Sequence, residues 1–245
     1  VPLCLGLTER RPVDPETLLT NVLRVQRQSR LANVDCTFTI YGRQAERSCS
    51  VDWHSDPELL PRNEIERLIR SNYTPLVEGE DTIAGREAWT LRLKPALKEY
   101  PWKQLWVDKR SFVVLAQREW SAYNKLKNHC SANSTRVTGP PDVARSQPIT
   151  DPGSTAAIPR PRHLPHGFVL AQAIPEDRGA ALLYSDGLFL LTVQIGPAES
   201  GSKRATSVED FGQGLIASGV FGGRSVTVVG DLSEEEIVRV LRSVR

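Results

Sequence analysis

A chain of 245 residues with 40% hydrophobic and 24% charged positions has the makeup of a globular protein, which excludes a disordered or fibrous polymer. Its length allows one large domain or two modest ones, each able to bury a core. The formal charge is +2, and the 31 basic residues are scattered instead of gathered into a basic run, so nucleic acid is not an expected partner. No stretch approaches the roughly 20 apolar residues that a membrane-spanning helix requires.

Asp14-Pro15-Glu16 is a helix start. Asp14 can accept from free backbone N–H groups, Pro15 suits the first helical position, and Glu16 favours the positive end of the dipole. Leu18, Leu19, Val22, Leu23 and Val25 then form an apolar stripe up to about Arg30. From Val34 the period changes to two: Val34, Cys36, Phe38 and Ile40 alternate with polar residues as in a half-buried strand. A hairpin turn at Gly42-Arg43 would pair Tyr41 with Gln44, Val34 with Val51 and Cys36 with Cys49, and would put Trp53 on the same apolar face. A Cys36–Cys49 disulfide is therefore expected, with two free buried thiols as the other reading. Cys4 and Cys130 could form a second pair, for which the sequence supplies no geometry.

Asn63 and Glu66 have the spacing of a capping box for a second helix with Ile65, Leu68 and Ile69 inward. The segment 73–83 then leads through a turn at Ala84-Gly85-Arg86 into a strand carrying Trp89, Leu91 and Leu93. Residues 102–108 and 112–115 form a further hairpin. Short turns throughout predict an antiparallel sheet with helices on one side. Between 139 and 163 lie six prolines in 25 residues, a linker expected to hold two domains apart. Beyond it, strands are expected at 168–174, 180–184, 188–195, 214–221 and 225–229, with Ser185-Asp186-Gly187 and Gly222-Gly223 as turns. A final helix has Ser233 as cap, Glu236 completing the box, and a Leu232–Ile237 staple.

Chemistry is scarce. The four histidines, at 54, 129, 163 and 166, lack the spacing of a metal site, the glycines form no phosphate-cradling loop, and His129-Cys130 sets an imidazole next to a thiol in sequence only, which does not place one on the other. Neither a cofactor nor a metal is expected, and the protein reads as a binding protein instead of an enzyme. All five tryptophans fall in the first half, and four of them, Trp53, Trp89, Trp102 and Trp106, are read into the first sheet. Their bland role is core packing. Their sharper one is an apolar slot for an acyl chain or apolar peptide, lined by Phe38, Val51, Trp53, Trp89, Leu91 and Trp106.

The run Ile83-Ala84-Gly85-Arg86-Glu87-Ala88-Trp89-Thr90-Leu91-Arg92-Leu93-Lys94-Pro95, followed by Leu105-Trp106-Val107-Asp108-Lys109, resembles the MucB/RseB regulators and the wider lipoprotein-carrier fold of LolA. Leu164-Pro165-His166-Gly167-Phe168, Leu183-Tyr184-Ser185-Asp186-Gly187-Leu188 and Val226-Thr227-Val228-Val229-Gly230-Asp231 are similar to successive landmarks of the MucB/RseB carboxy-terminal domain. The resemblance implies an α+β protein. Its residues 1–138 would form a LolA-like curved antiparallel half-barrel with packed helices, 139–163 a proline-rich linker, and 164–245 a smaller α+β domain with an antiparallel sheet and terminal helix. It implies a periplasmic or extracytoplasmic regulator of envelope-stress signalling that binds a membrane-anchored anti-sigma factor and controls its proteolysis, sensing a lipid or acylated protein. The alternative is a periplasmic lipoprotein or lipid carrier of the LolA type. Between Trp53 and Asn63 the chain lacks strands usual in such half-barrels, which implies a smaller sheet and a reduced slot.

Overall fold

The computed structural model describes residues 13–27, 31–40, 43–50, 59–132, 137–138, 158–198, 206–212 and 214–245, with backbone alone at 27, 31–40, 43–50 and 137–138. Helix α1 (Pro15–Arg27) begins as expected: the Asp14 carboxylate accepts from the Thr17 N–H at 2.7 Å, and Leu18, Leu19, Val22, Leu23 and Val25 are buried. Strands β1 (Leu31–Ile40) and β2 (Arg43–Ser50) form a hairpin, after which come α2 (Arg62–Asn72), β3 (Tyr73–Ile83), β4 (Arg86–Pro95), β5 (Trp102–Asp108), β6 (Val114–Trp120), β7 (Leu126–Ser131) and the short β8 (Val137–Thr138). These strands make one sheet in the order β2-β1-β7-β6-β5-β4-β3, with β8 beside β1. The β3–β4 turn has positive φ at both Ala84 and Gly85, the conformation that matches the twist of a two-residue hairpin.

The second sheet contains β9 (Val169–Glu176), β10 (Gly179–Ser185), β11 (Leu190–Pro197), β12 (Ser207–Asp210), β13 (Leu215–Phe221) and β14 (Arg224–Gly230), in the order β12-β13-β14-β11-β10-β9. Helix α3 (Glu234–Ser243) packs on it through Ile237, Val240 and Leu241. Ser233 caps α3 by accepting from the Glu236 N–H at 3.3 Å. The Glu236 carboxylate turns to His163 at 2.8 Å and to Arg239 at 3.2 Å. Among the described residues all strand pairing is antiparallel and the fold is α+β, as the sequence indicates.

Two local expectations are corrected. Helix α2 starts at Arg62, after Pro61 with its φ of −55°, and no side chain caps it. Proline sets the helical entry, so Asn63 lies inside the helix and Glu66 pairs with Arg70 at 3.3 Å. The β1–β2 hairpin pairs Ile40 with Arg43, which places Arg47 opposite Cys36 and Val34 opposite Cys49. Moving the turn by one residue shifts every cross-strand pair by two and leaves each residue on the same face, so the apolar pattern fits either register equally well. The Cys36 and Cys49 side chains, like all of Val51 and Trp53, lie outside the described residues. Strands β7, β8 and β12 are not anticipated by the sequence pattern.

The first-half motif that carries the family resemblance is structural. Arg86, at the start of β4, donates from Nε and Nη2 to the two Asp108 oxygens at 2.8 and 2.7 Å, and Asp108 also accepts from the Ser111 backbone and hydroxyl at 2.7 and 2.6 Å. Burial pushes the Asp108 carboxyl up, but the Arg86 and Ser111 hydrogen bonds outweigh it and hold the group at about 2. Replacing Asp108 by Asn is expected to cost about 3 kcal/mol in urea unfolding, the range for breaking a largely buried pair. Because the folded-state value lies below the ordinary one, this contribution is complete above about pH 4 and fades as the pH falls toward 2. Cys130 is disulfide-bonded, and its Cα partner across the β1–β7 ladder is Cys36. Peptide mapping without reductant is expected to recover a Cys36–Cys130 link, and recovery of Cys130 joined to Cys4 or Cys49 would refute this pairing.

Candidate functional site at the junction of the sheets

The expected apolar slot does not assemble from the described members of its set. Leu91 is fully buried with Leu93, Leu105 and Leu115 in the cluster that contains the inward residues of α1 and α2. Trp89 shares the Leu91 face by strand alternation but stacks on Phe112 with centroids 5.9 Å apart. Trp106 pairs with Thr90, not with Trp89 or Leu91, so it projects from the opposite face of the sheet. There its indole N–H donates to Asp81 at 3.0 Å and Arg118 lies over its ring at 4.9 Å. Phe38, Val51 and Trp53 fall where no side chain is described. The tryptophans sit on two faces because parity along a strand, not aromatic character, decides the side.

The convergence of polar groups lies elsewhere. One apolar cluster contains the inward residues of α1 and α2 together with Phe168, Leu188, Phe189 and residues of the second sheet, and polar contacts surround them. The carboxylate of Asp186, in the loop after β10, accepts from the Tyr73 hydroxyl at 2.5 Å through Oδ2 and from the backbone N–H groups of Leu188 and Phe189 at 2.9 and 2.8 Å through Oδ1. Asn72 Nδ2 donates to the Asp186 carbonyl at 2.9 Å and the Gly167 carbonyl at 3.3 Å. Two more tyrosines of the first half take part, with His166 N–H donating to the Tyr100 hydroxyl at 2.8 Å and Glu234 N–H to that of Tyr123 at 3.4 Å. Lys127 of β7 meets Asp231 at 2.7 Å, and Lys103 of β5 lies over the Phe189 ring at 5.0 Å.

Two glycines make the close approach possible. A Cβ on Gly167, where φ is +81°, would sit 2.3 Å from Asn72 Oδ1, and one on Gly187, where φ is +101°, would sit 3.0 Å from the Ile69 backbone nitrogen. A small cleft opens beside them, lined by Tyr73, Leu97, Tyr100, His166 and Asp186 among others. Burial raises the Asp186 carboxyl, with the Tyr73 bond and two backbone donors opposing it. Burial likewise raises Asp231, to about 6, against the attraction of Lys127. Burial and the Asp186 charge push the Tyr73 hydroxyl well up. These groups can seat one half of the protein on the other. Among the described residues no cluster of His, Cys, Asp and Glu suited to a metal ion occurs.

The sequence marks Asp186 and Gly187 as turn residues, carries Gly167 only within a resemblance motif, and assigns no site role to Asn72, Tyr73, Tyr100, Lys103 or Lys127. A signal was present in Lys103: it alternates in phase with Leu105 and Val107 and is 6% exposed, a lysine written onto an apolar strand face. Such placement implies a partner for its charge.

Two antiparallel sheets, one overlaid by two helices and the other by a terminal helix, define an α+β fold. No family model and no curated protein matches the chain. Among solved structures it is similar to MucB in complex with MucA(peri), at 19% identity and a TM-score of 0.70 over 95% of this chain and 98% of that one. A Pseudomonas aeruginosa MucA/MucB complex gives 20% identity and 0.71 over 95% and 99%. MucB alone gives 19% and 0.59 over 96% and 98%. The chain therefore has a MucB/RseB-like fold along nearly its whole length.

Substitution of Lys127 by Ala is expected to destabilise the protein by about 3 kcal/mol, because it strands a buried carboxylate. Restoring the volume without the charge in a Lys127→Met, Asp231→Leu double variant should recover most of that loss. Gly187→Ala is expected to cost about 1–3 kcal/mol through its backbone conformation and crowding against α2. Chemical denaturation reads out all three.

Proposed function

We propose that this protein is an extracytoplasmic, non-catalytic regulator that binds the outer segment of a membrane-anchored anti-sigma factor and shields it from proteolysis. The observation that carries this reading is the extent of the likeness: 95% of the chain is covered by the match to MucB, a protein solved in complex with MucA(peri). A LolA-type lipid carrier would require an accessible apolar face on the first sheet. Here Leu18, Leu19, Val22, Ile65, Leu68 and Ile69 of the two helices are buried together with the inward leucines of the sheet, which favours a protein partner over an acyl chain. Lipid sensing, as a signal that loosens the complex, belongs to the same reading at a lower rank. So does a division into units at 1–138 and 164–245 joined through 139–163.

The test uses the extracytoplasmic segment of the single-span protein encoded beside an extracytoplasmic sigma factor in the same genome. The expected result is a stable complex in size-exclusion chromatography and slower cleavage of that segment by an added protease. Absence of a complex, with extraction of an acylated protein from vesicles instead, would replace the regulator by the carrier.

A further inference from the structure

Among the described residues the two sheets share no strand pairing. The directional contacts that join them, besides the apolar cluster, include Asn72, three tyrosines and two lysines on one side. Backbone groups, two carboxylates and the Phe189 ring stand on the other. At its centre the Asp186 carboxyl is 1% exposed as a residue. Its hydrogen bonds come from three donors, and none of these is a cation. Such a group must either remain ionised at a desolvation cost or take up a proton and donate to the Tyr73 oxygen.

We propose that the Asp186–Tyr73 contact is a proton-operated latch that docks the second sheet more firmly onto the first as the pH falls. Separation of the halves would return Asp186 to water and its ordinary carboxylate behaviour. The docked carboxyl is raised by burial, so the docked form holds a proton at a pH where the separated form has lost it. Docking is therefore favoured as the pH drops through the raised value and levels off near pH 4, changing by at most about tenfold per pH unit for one proton. Facing Asp186 are Tyr73 from β3, Tyr100 from the loop before β5 and Lys103 from β5, and His166 lines the same cleft. Lys103 opposes the rise, and the charge of Glu119 from β6 acts on the Tyr73 hydroxyl, pushing it further up. Asp231, which faces Lys127, Glu119 and Asp210, is raised to about 6 and acts in the same direction. The proposal does not depend on which partner the protein binds.

The test is 19F NMR of the full chain labelled with 3-fluorotyrosine. Its five tyrosines are assigned by single Phe replacements, and spectra run from pH 4 to 8. The Tyr73 and Tyr100 signals are expected each to show a second, solvent-like resonance whose share falls in concert on acidification. Asp186→Asn, which keeps an acceptor for Leu188 and Phe189 and offers a neutral donor to Tyr73, should hold the docked signals with a much weaker pH dependence. Tyr73→Phe, read through Tyr100, removes a donor that favours the ionised carboxylate and should move the transition to higher pH. His166→Gln controls for the imidazole and should leave the transition in place. Single invariant resonances for Tyr73 and Tyr100 across the range would overturn the proposal, as would an Asp186→Asn protein that titrates like the wild type. If the Asn variant fails to fold, the direction of the Tyr73→Phe shift decides.

Discussion

The seating of Asp186 against Tyr73 and Asn72 is the constraint on which the arrangement of this protein depends. It joins the C-terminal end of α2 and the first residue of β3 to the loop after β10, so the helix layer, the first sheet and the second sheet meet at one buried carboxylate. A buried carboxylate tolerates little displacement, because any shift that loosens a donor leaves desolvated charge behind. The apolar cluster crossing the same region supplies non-directional attraction. The hydrogen bonds supply the orientation.

The motifs behind the family resemblance acquire a physical meaning in this frame. Those of the first half place Arg86 and Asp108 across a hairpin end. Those of the second half contain Gly167, Asp186, Gly187 and Asp231, all of which face the first half of the chain. A sequence that folded each half alone would need the glycines for their turns, but it would not need small residues against Asn72 and Leu68, nor a carboxylate opposite Lys127. The second-half landmarks thus describe a docking surface as much as a fold.

The filling of the inward face by α1 and α2 bears on function in the same way. With Leu91, Leu93 and Leu105 fully buried beneath the helices, entry of a lipid chain requires the helix layer to move. On the opposite face Trp102 and Trp120 stack with centroids 5.1 Å apart, and Arg92 lies over Trp102 at 3.9 Å, so ring faces are occupied by neighbours from the same sheet. Binding of a polypeptide on the outer surface demands no such rearrangement.

The sequence by itself determined most of the local structure. Helix α1, the β3–β4 hairpin, β5, β9 to β11, the Gly222-Gly223 turn and the capped α3 follow from periodicity, turn glycines and capping residues, which act over a few positions and are written contiguously. It also carried the resemblance that the solved structures support at the level of fold. Tertiary structure alone decided the hairpin register at Cys36, because two registers bury the same face. It also decided the division of the tryptophans between two sides, since parity on one strand says nothing about its neighbour until pairing is known. The junction belongs with these: Tyr73 and Asp186 are 113 residues apart, and each reads locally as an ordinary strand end or turn. Their meaning arises when folding removes both from water, and no short-range pattern records that event.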